Sequence, residues 1–80
     1  MIKIGSIYRH YKSTEWNNYT YEIIGIGKHA ETDEMCVIYK PLYESDWHEG
    51  CEFTIRPLSM WDEMVDSNGE KVPRFTLITE

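Results

Sequence analysis

Tyr19-Thr20-Tyr21-Glu22-Ile23-Ile24-Gly25-Ile26 is the stretch on which the fold turns. Its aromatic and β-branched residues fit a pleated surface better than a helix, so a strand is predicted over 19–26. Period-two alternation places Tyr19, Tyr21 and Ile23 on one face, with Ile24 and Ile26 on the other. Gly25 and Gly27 in its second half indicate a bend or bulge, as needed when a small sheet curls on itself.

Working outward, the polar stretch Glu31-Thr32-Asp33-Glu34 precedes a second apolar run, Met35 to Lys40, which reads as the hairpin partner. Because Met35 to Tyr39 is almost continuously apolar, this strand is expected to be covered on both faces or closely on one. Upstream, Ile7 to Tyr11 reads as a strand, followed by a Ser/Thr/Asn-rich turn over 13–18. Downstream, Pro41 to Gly50 is a long acidic loop holding Tyr43 and Trp47. Phe53 to Arg56 reads as a fourth strand, with Arg56 held extended by Pro57. Ser59 is expected to cap a short helix, with Asp62 at its third position. Met60, Trp61, Met64 and Val65 then form its apolar flank. After the turn 66–69, Val72 to Ile78 closes the chain as a strand that Pro73 places at an edge.

Five short strands and one helical turn predict a mainly β fold, a small partly open barrel, with a two-layer α+β arrangement as the second choice. The length allows one domain, 1–80. A chain this short buries only roughly 60–65% of its unfolded surface. Its six Tyr, three Trp and two Phe offset that, giving an aromatic-heavy core in which several of the Tyr and Trp are needed to hold the fold together.

Net charge is −6, and it is unevenly spread. Residues 1–30 carry Lys3, Arg9, Lys12 and Lys28 against Glu15 and Glu22, whereas most of the fourteen acids lie beyond residue 30. An acidic chain with one basic segment argues against a broad nucleic-acid footprint. No apolar run approaches the ~18–20 residues needed to span a bilayer, so no membrane role is expected. Met1-Ile2-Lys3-Ile4 is too short for a signal peptide, and Cys36 and Cys51 read as reduced thiols. A cytoplasmic location is expected.

Several segments, in order, carry a resemblance. They are Tyr8-Arg9-His10-Tyr11-Lys12, Tyr21-Glu22-Ile23, His29-Ala30-Glu31-Thr32-Asp33-Glu34, Val37-Ile38-Tyr39, Leu42-Tyr43, Arg56-Pro57, Met60-Trp61-Asp62-Glu63-Met64-Val65 and Pro73-Arg74-Phe75. Together they resemble a bacterial family, domain of unknown function 1653. The resemblance implies an SH3-like β-barrel and implies no activity. This chain departs from the family pattern at Ser6 and Ser13, where glycine is usual, and at Thr54, where tryptophan is usual. Its first loop also looks longer.

No metal or other cofactor is expected. His10, His29, His48, Cys36 and Cys51 offer ligands, but neither Cys-x₂-Cys nor His-x₃-His spacing occurs. Cys36 lies in the most apolar strand and reads as a buried structural thiol. His29 and Glu31 share a strand face and could act as base and orienter, yet they would equally pin a hairpin, and the structural role is favoured. Arg56 and Arg74 each neighbour a proline and lie near aromatics. Stacking that holds the fold is favoured for them over reading an anion. Trp61 reads as core before it reads as a binding residue.

The expectation is a non-catalytic binding module, not an enzyme, recognising a protein segment or small ligand through an aromatic groove. Tyr8, Tyr11, Tyr39, Tyr43 and Trp61 are its candidate walls, and His10, His29, Glu31, Arg56 and Arg74 its candidate polar contacts. The acidic loop, Glu44 to Glu52, would select cationic ligands. The alternative is a single-stranded nucleic-acid-binding domain using Arg9, His10 and Lys12, with stacking from Tyr8 and Tyr11. Oligomeric state stays open, since an unclosed barrel has edges that pair.

Overall fold

The computed structural model describes residues 2–80. In chain order it contains β1 (Ile7–His10), β2 (Thr20–Lys28), β3 (Met35–Pro41), a single 3-10 turn (Asp46–His48), β4 (Thr54–Pro57), α1 (Leu58–Trp61), β5 (Met64–Ser67), β6 (Glu70–Pro73) and β7 (Phe75–Thr79). The fold is mainly β. Five strands form one antiparallel sheet in the order β4-β3-β2-β1-β7, and β5 and β6 form a separate hairpin. The main sheet does not close on itself, because β4 and β7 end it without pairing.

β2, a strand as its composition predicts, is the central strand of that sheet. It pairs with β1 from Ile7↔Glu22 to Arg9↔Thr20 and with β3 from Tyr21↔Pro41 to Lys28↔Met35. The expected bulge falls between Ile23 and Gly25, where the register with β3 slips and Ile24 is the extra residue. The slip re-phases the strand. Ile26, assigned by simple alternation to the face opposite Ile23, instead lines a groove with Tyr8 and Leu58. At the next position, Gly27, the approach is close: a Cβ there would lie 3.1 Å from Ile38 Cδ1.

The C-terminal third differs most from the sequence expectation. The helix is four residues long and starts after Pro57, which offers no side-chain cap, so Ser59 does not cap it. Met64 and Val65 belong to β5 rather than to a helical flank. Asn68 (φ 51) and Gly69 (φ 85) both take left-handed backbone. This is what a two-residue type I′ hairpin turn requires, and it joins β5 to β6 at Ser67↔Glu70. The single strand expected over 72–78 is divided at Arg74. Its N–H donates to the Glu63 carbonyl at 3.0 Å, and its own carbonyl accepts the Tyr11 N–H at 2.9 Å. There the chain leaves β5 and passes to β1, which pairs with β7 through His10↔Phe75 and Tyr8↔Leu77.

The buried apolar core is Tyr21, Ile23, Val37, Tyr39, Trp61 and Phe75. Trp61 and Phe75 stack at 3.9 Å with only 8° between their planes. Tyr39 meets Trp61 edge-on at 4.9 Å, and Tyr21 meets Tyr39 at 5.1 Å. Rings of this size compensate for a small core, each such pair adding about 0.5–1.5 kcal/mol beyond burial. Cys36 and Val37 are adjacent and both buried, so this part of β3 is covered on both faces. The two serines that stand where the family pattern has glycine are both used. Buried Ser6 donates its hydroxyl to the Lys3 carbonyl at 2.6 Å, and Ser13 Oγ donates to the Tyr19 carbonyl at 3.2 Å and accepts its N–H at 3.0 Å. No described helix is long and apolar enough to cross a membrane.

Candidate functional site

Strand β1 ends at His10, and the chain turns at Tyr11-Lys12. Three backbone contacts fix that corner: His10 N–H to the Tyr19 carbonyl at 2.9 Å, Tyr11 N–H to the Arg74 carbonyl at 2.9 Å, and Lys12 N–H to His10 Nδ1 at 3.1 Å. The result gathers residues far apart in sequence. His10 packs edge-on against Phe75 at 5.2 Å and lies beside the Tyr11 ring at 4.7 Å. The Arg56 guanidinium sits 5.4 Å from the same Phe75 ring and donates from Nε to the Tyr39 hydroxyl at 3.4 Å. Lys12 Nζ stands 5.8 Å from the Tyr11 ring.

The electrostatics of this corner run against the charge of the whole chain. Partial burial, with Arg56, Arg74 and Lys12 around it, lowers the His10 pKa from 6.5 to about 4. The imidazole is therefore neutral at pH 7, and because Nδ1 accepts from Lys12, Nε2 carries the proton. Among the described residues Arg56 has no carboxylate partner. Arg74 pairs with Glu63 at 3.0 Å, its side chain only 18% exposed. Its Nε is buried and makes no hydrogen bond among the described residues, as is also true of Trp61 Nε1. A buried donor left unmatched costs about 1–3 kcal/mol.

Of the residues named from the sequence, His10, Tyr11, Arg56 and Arg74 come together at this corner, with Tyr39 beneath it. Tyr39 and Trp61 are buried at 3% and 2% exposure, so they floor the site and do not wall an open groove. Tyr39, a candidate wall, is corrected to a core position because it points inward from β3, whereas Trp61 is core as its sequence reading favours, laid by α1 across the Phe75 ring. Tyr43 is half-buried; its hydroxyl shares a 2.7 Å hydrogen bond with Tyr21 and lies 3.3 Å from His48 Nε2. Burial first, and then that bond, raise the Tyr21 pKa. Tyr8 faces the same side of β1 as His10 but touches Trp61 at 5.4 Å and opens into a different groove.

His29 and Glu31 lie elsewhere. His29 follows β2 at the end opposite Tyr19, about 25–30 Å away along an extended strand. Its Nδ1 accepts the N–H groups of Glu31 (3.2 Å) and Thr32 (3.3 Å), while its backbone bonds Glu34 and Asp33. The side chain of Glu31 is exposed and makes no hydrogen bond with the imidazole among the described residues. This is the hairpin-pinning arrangement, and it separates His29 from His10. The Arg9/His10/Lys12 patch is also divided: Arg9 is exposed and borders Glu15 in a shallow groove on the other side of β1. Phe75 and Tyr21 were missed as site residues. Only the placement of Phe75 next to Arg74, after Pro73, signals it in the sequence. Among the described residues, no three His, Cys, Asp or Glu side chains gather to hold a metal ion.

The comparisons agree on one family. A family model described as a protein of unknown function, DUF1653, matches residues 6–77. The chain is also similar to the crystal structure of a DUF1653 protein from Bordetella bronchiseptica, at 33% identity and a TM-score of 0.78, over 98% of this chain and 88% of that one. No curated protein matches. With nearly its whole length matched by the family model, this chain belongs to the DUF1653 family.

Proposed function

We propose that the chain is a non-catalytic binding module that holds a carboxylate, on a protein segment or a small ligand, at the His10 corner. The observation that carries this reading is Arg56: a guanidinium seated on Phe75 and Tyr39, without an acidic partner among the described residues, in a chain of fourteen acids. A planar guanidinium is suited to a carboxylate, and its aromatic seat limits the freedom lost on binding. Arg74 already grips one carboxylate, that of Glu63. The overall charge of −6 disfavours multiply charged phosphates and polynucleotides over a singly charged group. A non-catalytic role is supported by His10, whose Nδ1 is taken by the Lys12 N–H and which hydrogen-bonds no carboxylate that would orient it as a base.

The test is a titration of isotope-labelled protein followed by NMR at low salt. The probes are an N-acetylated amino acid, the same molecule amidated at its carboxyl, a tripeptide with a free C-terminus, and inorganic phosphate. The carboxylate probes should shift His10 and Arg56 signals and raise the His10 pKa. Whichever of amino acid and tripeptide binds more tightly separates a small-molecule ligand from a protein terminus. Arg56→Gln should weaken binding at least tenfold, about 1.4 kcal/mol. Equal binding of the amidated probe, or tighter binding of phosphate, would overturn the assignment.

A further inference from the structure

The second concavity lies where the sheet fails to close. Tyr8, Ile26, Met35 and Leu77 from the sheet face Leu58 and Asp62 from the region of α1, around a groove of roughly 520 Å³. Its walls are mostly apolar, and its charged groups are both acids, Asp62 and Glu80. The carboxylates reach into it: besides burial, these two acids raise the pKa of the Tyr8 hydroxyl. Lys3 lies 3.3 Å from Glu80 in a pair exposed on both sides, so that neutralisation is weak and easily exchanged.

One border of the groove is β7, the terminal strand of the five-stranded sheet. On one side β7 is bonded to β1, and on the other no strand pairs with it. Every residue from Thr76 to Thr79 is exposed, with Leu77 at 42% and Ile78 at 43%. An exposed apolar edge strand is a template for another strand, and proteins usually blunt such edges with lysine, proline or a covering loop. Residues 75–79 contain neither lysine nor proline.

We infer that this groove docks an extended protein segment laid along β7 as an added strand, with apolar and cationic side chains at every second position so that both kinds face the groove. Backbone hydrogen bonds to the β7 edge supply sequence-independent affinity. Apolar side chains enter between Tyr8, Leu58 and Leu77, and a Lys or Arg meets Asp62 or Glu80. The complementarity excludes an acidic segment, and it disfavours a second copy of this acidic chain. The site is separate from the His10 corner and selects the opposite charge.

The probe is a capped heptapeptide with threonine at the odd positions and valine, lysine and valine at positions two, four and six, so that valine and lysine share one strand face, titrated at low salt by NMR against the labelled protein. Three controls accompany it: the same peptide with glutamate in place of lysine, the lysine peptide with every second amide N-methylated, and the protein alone over a concentration series. The lysine peptide should shift the amides of Thr76 to Thr79 and the ring of Tyr8. N-methylation should weaken it at least tenfold, and the glutamate peptide should not bind. Asp62→Asn with Glu80→Gln, both at exposed positions, should weaken it five- to tenfold with the protein still folded. Arg56→Gln should leave it unchanged, so this inference and the carboxylate reading fail independently. Binding indifferent to N-methylation or to the acid-to-amide pair overturns the inference. Concentration-dependent dimerisation through β7 also overturns it, since a second copy is then the occupant.

Discussion

Tyr8 and His10 stand two residues apart on one face of one strand, yet the molecule gives them opposite surroundings. Tyr8 opens onto a groove whose charges are Asp62 and Glu80, and those acids add to burial in raising its pKa. His10 turns into a corner where burial and three cations, Arg56, Arg74 and Lys12, lower its own. The two environments are divided by the Trp61–Phe75 stack, since Tyr8 touches Trp61 and His10 touches Phe75. A core pair thus acts as a partition. An acidic protein can present a basic site because its few cations are recruited from three distant segments to one side of that partition.

The largest effect is expected from removing the partition. Phe75→Ala deletes a buried ring that contacts Trp61, Tyr21, His10 and Arg56, and it should cost about 3–5 kcal/mol. A chain of this size has only about 4–12 kcal/mol in total. Urea unfolding should show a midpoint sharply lowered or a transition no longer cooperative, with both sites lost together. A midpoint near that of the unaltered chain would mean that Phe75 does not divide the molecule as described.

Arg56→Gln tests the basic side alone. Removing this guanidinium should let the His10 pKa rise from about 4 towards 6.5, though burial, the larger cause, keeps it from arriving. An NMR titration of the imidazole reads the change directly, and the Tyr8 hydroxyl should not respond. An unmoved His10 would show that Arg56 does not act on it.

Stability against pH carries the same comparison. His10 titrates at about 4 when folded and near 6.5 when unfolded, so between these values the unfolded chain binds the extra proton. Its contribution is whole above about pH 6.5 and declines as pH falls towards about 4. Urea midpoints should therefore drop from about pH 7 to about pH 5 by more in the unaltered chain than in His10→Gln, which has no such proton to bind. Parallel curves would remove His10 from the pH response.

The smallest effect belongs to the acidic side. Asp62→Asn with Glu80→Gln should change stability by no more than about 0.5 kcal/mol per site, as exposed positions usually do. The Tyr8 pKa should fall in an ultraviolet titration of the phenols, while His10 stays where it is. Movement of His10 would mean that the two fields overlap across the partition.

Much of the architecture is legible along the chain. β2 follows from its aromatic and β-branched residues, the bulge from Gly25 and Gly27, and the β3 partner from the apolar run after the Glu31–Glu34 turn. The hairpin-pinning His29 and the buried Cys36 also follow from local chemistry. The β5–β6 hairpin is ambiguous along the chain: Asn68-Gly69 is a strong two-residue hairpin signal, but Met64 and Val65 fit equally well on the flank of a helix beginning near Ser59. The break at Arg74 has no local signal beyond Pro73, since it arises from backbone bonds to Glu63 and Tyr11, which are distant in sequence.

What the sequence by itself determined is the strands β1 to β4, the aromatic character of the core and the sign of the overall charge. These depend on side-chain period, ring content and counted ionisable groups, all local or additive properties. Only the tertiary structure decided which aromatics are floor and which are surface, and which charges face one another. Those outcomes depend on the phase of β2 after its bulge, on the turn that carries Tyr11 to Arg74, and on where α1 lays Trp61. A one-residue slip in any of them would send the same side chains to opposite sides of the sheet.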